Sequence, residues 1–228
     1  MLENSKEYWD YGYWEDNIKN NKTDFLKDNW MEKYVKEITN VEDKNAIDLG
    51  CGIGQDTKWL TDNGFRVTSC DISELALKKL KELIPNSKTM QLDVKEKLPF
   101  EDNSIGLVNA NLSIHYFDME NTISIFNEIH RIIKPNGLFI GRMNSDKNEG
   151  YVKETTKIIE ENFYYDYGRY FRLFNKAQFD VLTKDWKVVI LNENVTTRLN
   201  RTKALWEFIL RKWKNAKFTN FRTNKKSF

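Results

Sequence analysis

The stretch NAIDLGCGIGQDTKWL (residues 45–60) sets glycines at 50, 52 and 54, every second position, directly behind a short apolar run. A strand that runs into such a turn brings backbone amides close to a ligand, because glycine has no Cβ to hold the chain away. A dinucleotide fingerprint, G-x-G-x-x-G, needs a third glycine at 55, where Gln55 stands. A P-loop needs Gly-Lys-Ser/Thr, and Gln55, Asp56 and Thr57 do not supply it. What remains is D-x-G-x-G-x-G, formed by Asp48, Gly50, Gly52 and Gly54.

Outward from this turn, short apolar runs alternate with longer amphipathic ones, the pattern of a parallel α/β sheet. AIDLG predicts a first strand, and Asp56 to Asn63 the helix after it. FRVTSCD predicts a second strand, and SELALKKLKELI a helix with Ser73 as N-cap. SKTMQLDV and SIGLVNANLSI predict the third and fourth strands. MENTISIFNEIHRII is a strongly periodic helix, ended by a KPNG turn, and GLFIGRM is the fifth strand. Beyond it YVKETTKIIEEN reads as a helix and NKAQFDVLTKD as a short one. WKVVILNEN and KALWEFILRK read as closing strands, antiparallel because only RLNRT separates them.

Acids and amides fall at the ends of these strands. Asp71 closes the second strand about 20 residues after the first glycine, where a carboxylate accepts ribose hydroxyls. Taken alone, it serves equally as a cap for the following helix. Asp93 follows the third strand, in reach of an adenine amine, although alone it reads as a turn residue. Asn111 ends the fourth strand, above which the crevice of an open parallel sheet lies.

With these residues the chain resembles the class I S-adenosylmethionine-dependent methyltransferases, most closely over residues 40–145. The resemblance implies a Rossmann-like α/β fold: a seven-stranded sheet, helices on both faces, the last strand antiparallel. It implies S-adenosylmethionine as cofactor and S-adenosylhomocysteine as product. It matches Asp48, Gly50, Gly52 and Gly54 to the motif around the methionine part of the donor. Asp71 matches the ribose acid, Ile72 an apolar adenine contact, and Asp93 with Val94 the pair at the adenine edge. Asn111, Leu112 and Ser113 match the segment under the sulfur. The size and the NLSIHYF stretch are loosely similar to small stand-alone bacterial members, including the tellurite-resistance type. Asn109-Ala-Asn-Leu-Ser departs from the Asn/Asp-Pro-Pro-Tyr-like motif of base-amine methylation, which argues against that acceptor.

The bulk numbers agree with one enzyme-sized domain. The chain has 228 residues, 40% hydrophobic and 31% charged, with a net charge of +2, which gives no strong preference for nucleic acid. No apolar run approaches membrane-spanning length and no signal peptide is evident, so a cytoplasmic protein without a membrane partner is expected. Cys51 and Cys70 read as small buried apolar residues, and no Cys/His cluster suggests a metal. The expected layout is a single domain, 1–228: a helical, aromatic segment over 1–40, a donor-binding core over 41–145, an acceptor-side segment with closing strands over 146–212, and a basic tail over 213–228.

The flanks carry the acceptor question. Tyr8, Trp9, Tyr11, Tyr13 and Trp14 crowd the N-terminus, either as a lid over the donor or as a packed arm. His115 is the candidate general base, against a structural histidine. FYYDYGRYFRLF sets Arg169 and Arg172 among aromatic rings. The expected acceptor is a small anionic molecule held by Arg169 or Arg172 and by Tyr170, with Tyr11, Trp14 and His115 lining the site. The bland alternative has both arginines snorkelling to solvent. The tail RKWKNAKFTNFRTNKKSF, with seven basic residues and no acid, leaves an RNA methyltransferase as an alternative. A non-catalytic donor-binding module is another.

Overall fold

A computed structural model describes residues 6–20, 30–148, 151–166, 168–198 and 201–213. Seven strands form one sheet in the order β3-β2-β1-β4-β5-β10-β9. They are β1 (Asn45–Leu49), β2 (Arg66–Asp71), β3 (Lys88–Gln91), β4 (Ile105–Asn111), β5 (Ile133–Asn144), β9 (Trp186–Arg198) and β10 (Arg201–Lys212). The strands from β3 to β5 are parallel, and β10 runs antiparallel to both β5 and β9. Strand order reverses between β1 and β4, so a crevice opens at the carboxyl ends of those two strands.

Alternation along the strands fills two apolar layers. Ile47, Leu49, Val108, Ala110, Phe139 and Phe208 face one layer, with Phe126 and Ile129 of α5 (Met119–Ile132) and Phe179 of α6 (Lys176–Leu182). Ala46, Leu107, Leu138, Ile140 and Ile209 face the other, with Leu60 of α3 (Gln55–Asp62) and Ile38 of α2 (Val35–Thr39). Burial on both faces explains why these strands read as continuous apolar runs. Helix α4 (Glu74–Leu83) is capped by Ser73, whose side chain accepts from the Ala76 amide. The capping boundary is where the sequence set it.

The N-terminal segment runs as a π-helical stretch (Tyr8–Trp14) into α1 (Glu15–Lys19), an arm packed against α4. A further turn of helix (Trp30–Tyr34) is fixed to the closing hairpin: Tyr34 Oη donates to Glu207 at 2.8 Å, and Lys33 Nζ lies 3.1 Å from the same carboxylate. Among the described residues no helix is long and apolar enough to cross a membrane.

Four expectations need correction. YVKETTKIIEEN is not helical: it forms turns and then β6 (Lys157–Glu160), the edge of a second, three-stranded antiparallel sheet. Thr155, Thr156, Ile158 and Ile159 are β-branched and favour extended backbone, and the aromatic stretch behind them, β7 (Phe163–Asp166) and β8 (Arg169–Arg172), supplies the pairing partners. KPNG is not a turn ahead of the fifth strand but a bulge inside β5, where the register slips opposite Gly106 and Asn136 takes a φ of +67°. The helix expected from TDFLKDNWMEKYVKEI is broken, within its described part, into the turn over 30–34 and the short α2. The closing strands are longer than expected and take in the outer residues of RLNRT.

Candidate active site

Each glycine of the turn admits a different neighbour. Gly50, Gly52 and Gly54 have φ values of +67°, +53° and +91°, a region that side chains strain to enter. A Cβ at Gly50 would stand 2.2 Å from Ser113 Cβ, in the segment after β4. At Gly54 it would stand 2.7 Å from Leu80 of α4, and at Gly52 2.9 Å from the Trp14 ring of the arm. The turn is pinned to β2, since the Gly50 and Cys51 amides both donate to the Cys70 carbonyl, at 2.7 and 3.0 Å. Burial pushes the Cys70 thiol up to about 12, and raises Cys51 as well, so both stay protonated.

Asp71 is the latch of this arrangement. Its two carboxylate oxygens accept from the Gly52 amide at 2.8 Å and the Ser73 amide at 2.9 Å. It therefore anchors the glycine turn and the start of α4 together, with lone pairs left over, because an ionised carboxylate offers about four acceptor sites. Ile72 is half-buried beside it. Asp93 accepts from the Lys95 amide at 2.9 Å and Val94 packs on the core edge, both at the carboxyl side of β3. Asn111 ends β4, and Leu112 follows with a φ of +56°, the non-glycine left-handed residue at the mouth of the crevice. Ser113 donates to the Leu49 carbonyl at 2.7 Å, tying that mouth to the end of β1.

Asp48 lies beneath the turn. It is 2% exposed and accepts from Thr57 Oγ1 at 2.7 Å and Asn109 Nδ2 at 2.8 Å. Burial, reinforced by the nearby Asp56, raises its carboxyl to about 7. Asp56 is raised for the same reason and is opposed chiefly by the Arg142 guanidinium. Arg142, fully buried, donates through Nε to Asn111 Oδ1 at 2.9 Å and lies 5.2 Å from the Trp30 ring centroid. Sequence reasoning assigned no role to Asp56, Asn109 or Arg142. The available signal was an arginine inside the apolar run GLFIGRM, since a charge at a buried strand position needs a partner.

Asp10 of the arm also went unassigned. It is 2% exposed, its Oδ1 accepting from Ser73 Oγ at 2.5 Å and the Leu75 amide at 3.3 Å, so it caps α4 from outside. Trp14 covers Gly52 and Trp9 stands edge-on to Tyr116, with ring centroids 4.8 Å apart. The arm is thus a packed roof over the turn. Tyr11, by contrast, is 62% exposed.

The two arginines part company. Arg172 is 1% exposed and donates to the carbonyls of Phe117 and Glu161, at 3.2 and 3.0 Å, and to the Glu160 carboxylate. Its guanidinium is engaged within the protein, so the expected acceptor role is withdrawn. Arg169 is half-buried among the phenols of Tyr8, Tyr13, Tyr116 and Tyr151. Tyr170 points its ring elsewhere, stacked on Phe163 at 5.5 Å. His115 is 3% exposed with its ring 4.2 Å from Tyr116, and its carbonyl accepts from the Arg172 amide at 2.7 Å. These are packing contacts, and Tyr116 rather than His115 faces Arg169.

Residues 47–141 match the methyltransferase domain family described as Methyltransf_11. That stretch, less than half of the chain, is similar to a methyltransferase domain. Over 96 residues it is 33% identical to an uncharacterized methyltransferase of Synechocystis sp., covering 42% of this chain and 45% of that one. Over 127 residues it is 33% identical to the mitochondrial arginine-hydroxylase NDUFAF5 of Homo sapiens, covering 54% of this chain and 35% of that protein. The chain thus spans about a third to a half of the length of the curated relatives it matches. Among solved structures, TehB from Haemophilus influenzae superposes with a TM-score of 0.63 at 19% identity, over 91% of this chain and 66% of that one. The Burkholderia thailandensis 1,6-didemethyltoxoflavin-N1-methyltransferase, solved with its substrate and S-adenosylhomocysteine, gives 0.65 at 16%, over 89% and 86%. These likenesses establish the Rossmann-like methyltransferase fold.

Proposed function

We propose that this chain transfers a methyl group from S-adenosylmethionine to a small-molecule acceptor at the carboxyl ends of β1, β2 and β4. The observation that carries this reading is the unit formed by Gly52, Asp71 and Ser73. One carboxylate holds the left-handed turn and the start of α4 in place while keeping lone pairs for two ribose hydroxyls. The glycines leave the backbone bare where a donor carboxylate would lie, and no lysine of a phosphate site is present. In this reading Ile72 and Val94 flank the adenine, Asp93 accepts at its edge, and Asn111 with Leu112 passes under the sulfur.

When bound, the donor supplies an already activated methyl, so the chain's task is alignment and exclusion of water. The left-handed Leu112 shapes the backbone at the transfer point, and the arm with Trp14 closes the site from above. His115 positions Tyr116 by packing and is not assigned a proton.

Calorimetry with S-adenosylhomocysteine on wild type and Asp71→Ala tests the site. The expected outcome is one-to-one binding, weakened at least about tenfold in the variant by the lost hydrogen bonds. Thermal stabilisation by NAD but not by S-adenosylmethionine overturns the reading. Because one relative is named a hydroxylase, a labelled-methyl assay over a panel of small acceptors is the arm that separates transfer from donor binding alone.

A further inference from the structure

Arg169 opens β8 opposite Asp166 of β7, and its guanidinium stands 5.8 Å from the Phe171 ring centroid. Four phenols surround it, those of Tyr8, Tyr13, Tyr116 and Tyr151, and it hydrogen-bonds the first of them. Burial raises the Tyr8 and Tyr116 hydroxyls above their ordinary range. Tyr8 and Tyr116 are therefore neutral at physiological pH; they satisfy hydrogen bonds without balancing a charge. Arg131, Arg142 and Arg172 each face a carboxylate: Glu128 with Asp102, Asp56, and Glu160. Among the described residues Arg169 has no such ion pair, Asp166 included. A half-buried cation is stable when paired, and the missing charge points to a ligand.

The elements that build this cage have separate origins. Tyr116 lies past the carboxyl end of β4, Tyr151 past β5, and Tyr8 and Tyr13 on the arm. The same arm sets Trp14 on Gly52 and Asp10 on the start of α4. Two of the four phenols are thus delivered by the element that roofs the donor turn.

We propose that Arg169 and its tyrosine cage bind one carboxylate of the acceptor, and that the arm closes over donor and acceptor together. A planar guanidinium grips a carboxylate through paired N–H donors, and phenol hydroxyls donate to the remaining lone pairs. The planar guanidinium matches a carboxylate in shape, and the Lys203 ammonium, which donates to the Tyr151 hydroxyl at 3.0 Å, adds positive charge at the outer edge of the cage. The aromatic walls select a flat or apolar body behind it. The site next to a methyl donor rests on the methyl-transfer reading; the anion preference does not.

The test uses the full chain and two isosteric probes, benzoate and benzamide, titrated by calorimetry with and without saturating S-adenosylhomocysteine. The expected result is benzoate binding at least about tenfold tighter than benzamide, as charge-assisted pairing requires. Arg169→Gln, checked for folding by circular dichroism, should bring the two probes together. Bound S-adenosylhomocysteine should tighten benzoate about threefold or more, and benzoate should tighten it equally. Equal affinity of the two probes for wild type overturns the proposal without any variant, as does inorganic phosphate binding tighter than benzoate. Tighter benzoate binding that is indifferent to S-adenosylhomocysteine overturns the shared closure. Wild type that prefers benzoate but never binds S-adenosylhomocysteine upholds the anion site and defeats the donor reading instead.

Discussion

The half of the molecule around the glycine turn and the half around Arg169 are built differently. Around the glycine turn, the acids and amides are fixed by the turn itself, by helix starts and by adjacent strands: Asp71 by the Gly52 and Ser73 amides, Asp48 by Thr57 of α3 and Asn109 of β4, Asn111 by Arg142 of β5. Around Arg169, the neighbours come from an arm, a loop and a small hairpin sheet, and the contacts are ring on ring. A rigid lattice of hydrogen bonds suits a constant ligand. A wall of aromatic faces, with few directional bonds, is the half that can be remodelled for a particular acceptor.

The largest effect should come from breaking the point where the halves meet. Gly52→Val places branched carbons at a φ of +53° and into the Trp14 ring, so S-adenosylhomocysteine binding should fall by at least about a thousandfold, roughly 4 kcal/mol, in calorimetry. A folded variant that still binds would detach the arm from the donor site.

Next is the pH response of the donor lattice. The Asp48 carboxyl sits near 7 in the folded chain against an ordinary 3.8, so the native state holds this proton more tightly than the unfolded one. Its contribution to stability is complete below about pH 4 and is lost as pH rises to about 7, at most about 4 kcal/mol. Asp48→Asn should lose this slope, so that urea melts across that range diverge from wild type with rising pH. Parallel curves would mean that Asp48 is ionised throughout.

Arg172→Ala should cost about 3 kcal/mol of stability by stranding its carbonyl and carboxylate partners. S-adenosylhomocysteine affinity should stay unchanged in the folded fraction, which distinguishes a scaffold arginine from Arg169. The smallest effect should be Asp10→Ala, about 1 kcal/mol for a lost helix cap. Its specific signature is a red-shifted emission of Trp9 and Trp14 as the arm loosens, and unshifted emission would show the arm held by its rings alone.

The same contrast explains what could be read from the sequence. Strand-to-helix periodicity and glycine spacing are local, so β1 to β5 and the positions of Asp71, Asp93 and Asn111 were legible in order. The buried pairings were not: Ser73 meets Asp10 across 63 residues, and nothing near Asp10 marks it as a cap. YVKETTKIIEEN read as a helix because its charges fit a helical face, whereas its partner strand lies in the following aromatics. Arg169 and Arg172 are equivalent in sequence, and only the fold gives one a carboxylate and leaves the other among phenols. The C-terminal tail from residue 214 lies outside the described residues, and with it most of the basic stretch.

The bond from Tyr34 to Glu207 spans 173 positions, and it has a consequence for how the chain is made. During synthesis the parallel strands leave the ribosome in an order that lets the donor crevice assemble early. The segment over 30–34 must wait for β10 before its hydroxyl finds a carboxylate. Loop closure over such a separation is slow, and β5 keeps an unpaired edge until the last hairpin docks. A nascent chain stalled short of residue 207 would therefore expose that edge, and would be the species most in need of a chaperone.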